Sequence, residues 1–229
     1  MVNVYITDIR QWNDEAVYRK WLKVLPEDRR LHVEEYKQMS DKRRSLAGSV
    51  LVREAFGKRY PGIDMHALSF KTEMNGKPYI EGYPQFHFNI SHSGNYTVCA
   101  VSEENVGIDI QQTREVKVNV AKRFFTEKEK AQIEAVADTG ELSKALLGKQ
   151  QEMFFRIWSA KEAYVKLTGK GIKELQSFTA DLQSGRILDT HRRQDISVYL
   201  KEYDVMQNYV LTVCAGEQNF GELQVFKIS

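Results

Sequence analysis

Apolar residues recur along the chain at two spacings, and the switch from one to the other divides it into elements. Between residues 41 and 59, Leu46, Val50, Val52 and Phe56 carry helical periodicity, and the run stops before Tyr60-Pro61-Gly62, a strong helix breaker. Residues 67–72 read as a strand, followed by a turn at Asn75-Gly76-Lys77-Pro78. Phe86, Phe88 and Ile90 then alternate with His87, Asn89 and Ser91, the period-two pattern of a half-buried strand. The small residues of Ser91-His92-Ser93-Gly94 predict a turn into a second strand, Tyr96 to Val101, and Ser102 to Asn105 turns the chain into a third, Val106 to Gln111. Thr126 and Glu129 have the spacing of a capping box, so a helix is expected from about residue 127. Residues 136–150 mix polar and apolar positions with little helical signal and are expected to form a mobile excursion. A helix over 152–168 ends at Gly169 and Gly171, and 175–228 reads as short alternating strands with turns at Ser184-Gly185 and around residues 216–221.

The elements recur. Thr97-Val98-Cys99-Ala100 returns as Thr212-Val213-Cys214-Ala215, about half a chain length later. In the same order, the strand from Val4 to Ile9 is echoed by Val106 to Gln111, and the helix beginning at Arg44 by the one beginning at Trp158. Leu68-Ser69-Phe70 is echoed by Gln176-Ser177-Phe178. Four echoes in register point to a duplicated strand–helix–strand unit, and hence to an α+β chain of two similar halves, residues 1–105 and 106–229.

Composition narrows the function classes more than the fold. At 229 residues, with 42% hydrophobic and 28% charged side chains, the chain has the make-up of a globular protein with a real core. A net charge of +2 makes no demand for nucleic acid or an anionic membrane. No apolar run approaches a membrane span, and the first residues lack a signal-peptide pattern, so a cytoplasmic protein is expected. Cys99 and Cys214 sit in apolar strand-like runs, and two cysteines make neither a disulfide framework nor a metal site.

Three stretches carry candidate chemistry. On a helical wheel of Trp158–Lys166, Ala160, Ala163, Tyr164 and Leu167 share a core stripe. Trp158, Glu162 and Lys166 share another side, with Lys161 at its edge. Alone, this face reads as a solvated surface with an i,i+4 Glu–Lys pair worth about 0.2–0.5 kcal/mol. In Gly107-Ile108-Asp109-Ile110-Gln111 the isoleucines face a core, while Asp109 and Gln111 share the other face beside a space-leaving glycine. Two such oxygens suit a hard cation, and equally an Asp facing water. Phe88-Asn89-Ile90-Ser91-His92-Ser93-Gly94 offers a small-residue turn after a buried strand, readable as a phosphate nest or as a capped turn. Taken together they describe a metal–polyphosphate site. Asp109 and Glu162 suffice for Mg²⁺, which completes its octahedron with water and phosphate, while Lys161, Lys166 and the Ser-His turn meet the remaining phosphate oxygens. With no Walker A loop and no kinase signatures, ATP is not the obvious donor.

The ordered set FNISHSG, GIDI, RFFT-x-x-E and WSAKEAYVK-x-x-GKG, with GSVLVR at Gly48 and GKP at Gly76 upstream, resembles the 4′-phosphopantetheinyl transferases of the surfactin-synthetase-activating type. The likeness runs from Pro26 through Gly171 and more weakly to the end. It implies two similar α/β halves forming a pseudo-twofold, with coenzyme A as substrate in the cleft between them and Mg²⁺, or alternatively Mn²⁺, on its diphosphate. The partner implied is an apo acyl or peptidyl carrier protein of fatty acid, polyketide or nonribosomal peptide synthesis, and the enzyme is expected to be a monomer. By matching position, Asp109 and Glu162 are metal-binding acids and Lys161 and Lys166 diphosphate lysines. Ser91 and His92 match contacts to the 3′-phosphate, and Arg44 with Ser45, and Lys77, further nucleotide-side contacts. Glu162 is the implied group for deprotonating the carrier serine, and the region of Phe124 and Phe125 resembles an exposed carrier-docking surface.

Two positions depart from the pattern. Many relatives have Asp-x-Glu where this chain has Asp109-Ile110-Gln111, so Gln111 as a metal ligand lacks a charge. Some place lysines in the loop at Pro26, where this chain offers Arg29 and Arg30. The alternative reading is a non-catalytic coenzyme A- or carrier-binding relative with Gln111 as its scar.

Overall fold

The computed structural model describes residues 1–136, 145–146, 148–190 and 195–228, and the chain divides into two compact units. Unit 1 opens with β1 (Val2–Asp8), then α1 (Glu15–Lys23), α2 (Glu27–Glu35) and the long α3 (Met39–Arg59). A small hairpin follows, β2 (Phe70–Thr72) with β3 (Pro78–Ile80), and then β4 (His87–Ser93) and β5 (Tyr96–Ser102). Unit 2 runs from β6 (Val106–Gln112) through β7 (Val116–Lys117), α4 (Val118–Phe124), α5 (Glu127–Ala135), β8 (Ala145–Leu146) and α6 (Lys149–Thr168). It closes with β9 (Phe178–Asp181), β10 (Arg186–Asp189), β11 (Asp195–Tyr203) and β12 (Tyr209–Ala215). The last strand, β13 (Phe220–Val225), belongs to unit 1, where it pairs in parallel with β1. The halves read from sequence assigned residues 219–229 to the second; alternating polarity marks a strand without naming its partner.

In unit 1 the sheet order is β13-β1-β5-β4, with α3 packed on β1, β4 and β5. Leu51, Val52, Ala55 and Phe56 of α3 fill its core against Tyr5, Phe88, Cys99 and Val101. Unit 2 repeats the plan: its sheet order is β6-β12-β11-β10-β9, with α6 packed on β9 and β12. Ala160, Ala163 and Tyr164 of α6, the stripe expected from the wheel, pack with Phe178, Ala180 and Cys214. Three pairs of echoed segments thus occupy matching elements, β1 and β6, α3 and α6, β5 and β12; the fourth leads into β2, which pairs with β3 in a separate two-stranded sheet, and into β9, at the edge of the five-stranded sheet. Both cysteines are buried free thiols. Among the described residues, no helix is long and apolar enough to cross a membrane.

The capping box at the start of α5 forms as expected, the Thr126 side chain accepting from the Glu129 amide while Glu129 accepts from the Thr126 amide. Most of the excursion expected over 136–150 lies outside the described residues. The turn expected at residues 91–94 lies further on. β4 continues to Ser93, which pairs with Tyr96, and the two-residue turn is Gly94-Asn95, with Gly94 at φ +52°. A tight hairpin whose first turn residue needs positive φ extends the ladder through the Ser-His-Ser segment.

Candidate functional site

The approach of β6 to α6 begins with Gly107. A Cβ there would lie 1.9 Å from the Ala163 carbonyl oxygen and 2.6 Å from the Leu167 nitrogen, so only glycine lets the strand and the helix backbone lie this close. Ser159 Oγ donates to the Asp109 carbonyl at 3.0 Å, fixing the strand against the helix a second time. Asp109, two residues on and on the same face as Gly107, is 1% exposed. Its Oδ1 accepts from Lys166 Nζ at 2.6 Å and its Oδ2 from Gln111 Nε2 at 2.9 Å. Lys166 also donates to the Ile108 carbonyl at 3.2 Å.

Glu162, one turn before Lys166 on α6, is half-buried. Burial raises its carboxyl above the ordinary glutamate range, the charge of Asp109 raises it further, and Lys166 pulls the other way. The strand acid and the helix acid therefore feel one another, and Lys166 acts on both. Among the described residues no three His, Cys, Asp or Glu side chains gather as a metal cage. An acid pair whose mutual repulsion raises one member nonetheless suits a hard cation that takes one or two carboxylates and fills its octahedron with water and substrate oxygen.

The other members of the expected helix face go elsewhere. Trp158 stacks on Phe154 at 5.9 Å and meets Phe124 edge-on at 5.6 Å, so its indole packs in an aromatic cluster. Lys161 is fully buried: Nζ donates to Glu129 Oε1 at 2.7 Å, Glu129 Oε2 at 2.8 Å and the Phe178 carbonyl at 2.8 Å. These three acceptors use the three donors of an ammonium, which corrects Lys161 as a phosphate-contacting lysine. A helix step of 100° carries residue 161 off the Glu162 face and into the core. Burial pulls the Lys161 ammonium down and the Glu129 carboxylate opposes it. Glu129 also accepts from the Ala180 amide at 2.7 Å, so one carboxylate ties together α5, β9 and α6. The capping box identified Glu129 in sequence; its buried partner, 32 residues away, left no local signal.

Phe125 is 1% exposed and stacks on Phe154 at 5.0 Å, and Phe124 is half-buried, which corrects the exposed docking pair. Phe125, just past the end of α4, joins the core with Phe154, and Phe124 packs against that core.

In unit 1 the expected nucleotide-side residues form two groups. Arg44 on α3 donates to the Gly94 carbonyl from Nε at 3.2 Å and Nη2 at 2.9 Å, and to Asp41 at 2.7 Å, which joins it to the β4–β5 turn. Ser45 accepts at its carbonyl from Ser49 Oγ, at 3.0 Å. Ser91 and His92 precede the turn as neighbours on β4, Ser91 buried and His92 exposed. As strand neighbours, their side chains point to opposite sides of β4. Lys77 stands apart. It is buried and donates to Asn105 Oδ1 at 2.7 Å, in a concavity it lines with His87, Tyr79, Tyr83 and Phe88. Burial lowers the Lys77 ammonium, and burial together with the Lys77 charge lowers His87. Arg29 turns inward, donating to Ser49 Oγ at 2.9 Å with its guanidinium over the Phe70 ring.

Paired acids and a lysine on an α+β scaffold are a set of groups that suits metal-assisted group transfer on phosphate. Residues 10–104 match the 4′-phosphopantetheinyl transferase N-terminal family model, and residues 105–214 match that of the 4′-phosphopantetheinyl transferase superfamily. The chain is 33% identical to 4′-phosphopantetheinyl transferase Sfp of Bacillus subtilis (strain 168), over 89% of this chain and 87% of that one. It is 36% identical to 4′-phosphopantetheinyl transferase psf-1 of Bacillus pumilus, over 82% of this chain and 77% of that one. A second 4′-phosphopantetheinyl transferase from Bacillus subtilis is 36% identical over 79% and 77%. The chain belongs to the 4′-phosphopantetheinyl transferase superfamily, in its Sfp-type branch. Its activity is the transfer of 4′-phosphopantetheine from coenzyme A to a carrier protein.

Proposed function

We propose that Asp109, Glu162 and Lys166 form the catalytic centre of this transfer, with Asp109 and Glu162 as the ligands of a divalent cation, Mg²⁺ or alternatively Mn²⁺. The observation that carries the reading is the Asp109–Lys166 contact of 2.6 Å, with half-buried Glu162 one turn before Lys166 on the same side of α6. When bound, the cation neutralises diphosphate charge and makes the leaving oxygen a weaker base. Lys166 reaches the same oxygens as a point charge on a flexible stem. Glu162, directly or through a water, accepts the hydroxyl proton of the carrier serine. The serine oxygen bonds to the β-phosphorus of coenzyme A while the bond from that phosphorus to the bridging oxygen breaks. The leaving 3′,5′-ADP keeps the electron pair.

Arg44, Ser45, Lys77, Ser91 and His92 are assigned to the nucleotide end of coenzyme A, and Lys161 acts only by fixing α6. The partner is an apo acyl or peptidyl carrier protein, and the enzyme is taken as a cytoplasmic monomer. Intact-mass spectrometry tests the reading, with one apo acyl and one apo peptidyl carrier each incubated with the protein, coenzyme A and Mg²⁺. The expected result is a gain of one phosphopantetheine, lost on adding chelator and in Glu162→Ala. Transfer that survives both changes would remove the metal and Glu162 from the centre.

A further inference from the structure

The carboxylate best placed to take a cation is already engaged. Asp109 is 1% exposed, and a charge so buried needs partners. Lys166 supplies one at 2.6 Å on Oδ1, a short charge-assisted bond, and Gln111 another at 2.9 Å on Oδ2. A cation arriving alone has to compete with both donors for the carboxylate's charge and lone pairs. It would also leave the Lys166 ammonium beside a dication with its counter-charge taken. Coenzyme A arriving alone brings its diphosphate towards two carboxylates. When both arrive, the lysine transfers to the diphosphate and the carboxylates to the cation, so each ligand removes the obstacle to the other. The Lys166 side chain is 27% exposed and carries its charge on a rotatable stem, so it can make that change, whereas Asp109 is fixed at its backbone by Ser159.

Gln111 makes this arrangement possible. An amide can donate to Asp109, while a glutamate in its place would be repelled by Asp109 and would add a third negative charge that attracts a cation without coenzyme A. We propose that Gln111 and Lys166 form a clamp on Asp109 that makes metal capture depend on coenzyme A, Gln111 being a positioning residue that suppresses metal binding to the ligand-free enzyme. The inference rests on the metal-binding reading of Asp109 and Glu162 above.

The test is a titration of Mn²⁺ into the full chain with and without saturating coenzyme A, free Mn²⁺ being read by its electron paramagnetic resonance and the protein-free Mn²⁺–coenzyme A complex subtracted. The wild type should bind Mn²⁺ roughly tenfold more tightly with coenzyme A, within the usual range of coupling between two sites, and Mn²⁺ should tighten coenzyme A by the same factor. Gln111→Glu should bind Mn²⁺ several-fold more tightly than wild type without coenzyme A, and its ratio should fall to about threefold or less, while Gln111→Met, which removes the donor without adding charge, should fall between the two. Gln111 is half-exposed at the end of β6, so both variants should keep the wild-type circular dichroism spectrum. Equal Mn²⁺ affinity with and without coenzyme A in the wild type, or an unchanged ratio in Gln111→Glu, overturns the clamp. If carriers still gain phosphopantetheine in either case, the clamp alone is lost. If neither Mn²⁺ nor coenzyme A binds and no carrier is modified, the reading beneath it is lost as well.

Discussion

Glu162 is held in a state that costs the folded protein something. Burial first, and Asp109 second, raise its carboxyl above the ordinary value of 4.5. Below pH 4.5 it is protonated whether folded or unfolded. As the pH rises the unfolded chain ionises first, so the stability associated with the neutral form is lost as pH climbs through the folded value. Glu162→Gln removes that loss. In chelator, thermal melts should show the variant gaining on wild type as pH climbs from about 4.5 to the folded value, and keeping that gain without further increase above it. The same variant should lose about 10²-fold or more in turnover, the range expected when a general base is removed. A variant with wild-type stability at every pH would show that the acid pair does not interact. The faces that carry Asp109, Glu162 and Lys166 are legible in the sequence, because strand and helix periodicities set them; the Asp109–Lys166 contact across elements is not. Lys161 departs from the expected phosphate-facing position for a physical reason. A wheel locates a side chain by angle, and one edge position there can meet solvent or reach a carboxylate from another element; Glu129 on α5 decided it.

At the scale of elements, two contacts hold α6 in place and predict different failures. Gly107→Ala would set a Cβ 1.9 Å from a backbone oxygen that cannot rotate away, so β6 and α6 must part. The expected cost is about 1–3 kcal/mol or more in urea unfolding. Where the variant is still folded, turnover should fall by roughly 10²-fold, since a misplacement of about 1 Å suffices for that. Lys161→Ala should act on stability instead. It leaves Glu129 buried and without its cation, a loss of about 3–5 kcal/mol, against a typical total of about 5–15 kcal/mol. If Lys161→Ala melts like wild type but has lost coenzyme A affinity, Lys161 is a ligand contact after all. α3, α5 and α6 are legible in the sequence because breakers, a capping box and glycines bound them. The β4–β5 turn lies three residues beyond its expected start, because Ser-His-Ser has turn composition and only cross-strand pairing extends the ladder through it.

The whole molecule is not two halves in succession. The chain leaves unit 1 near Val106 and returns to it at Asn219, so β1 at one terminus lies beside β13 at the other. Periodicity could not reveal this. The duplicated pattern ends at β12, and a parallel pairing of Val4 with Leu223 carries no signal in either strand alone. Beyond β13, Phe226 meets Trp21 edge-on at 5.7 Å, accepts at its carbonyl from Thr7 Oγ1 at 3.1 Å, and donates from its amide to Ile6. Removing residues 219–229 strips β1 of this partner, exposes its apolar edge and opens the wall around Trp21. With each lost backbone hydrogen bond worth about 1 kcal/mol, the deletion should remove several kcal/mol from unit 1 and leave an edge prone to association. The residues deleted lie outside the span 105–214 matched by the superfamily model and outside unit 2, so Asp109, Glu162 and Lys166 are untouched. Limited proteolysis with mass readout separates the cases. Early cuts confined to 1–106, with 107–218 protected, would show that the terminal strand belongs energetically to unit 1. Uniform protection equal to wild type would mean that β13 is dispensable to the sheet it completes.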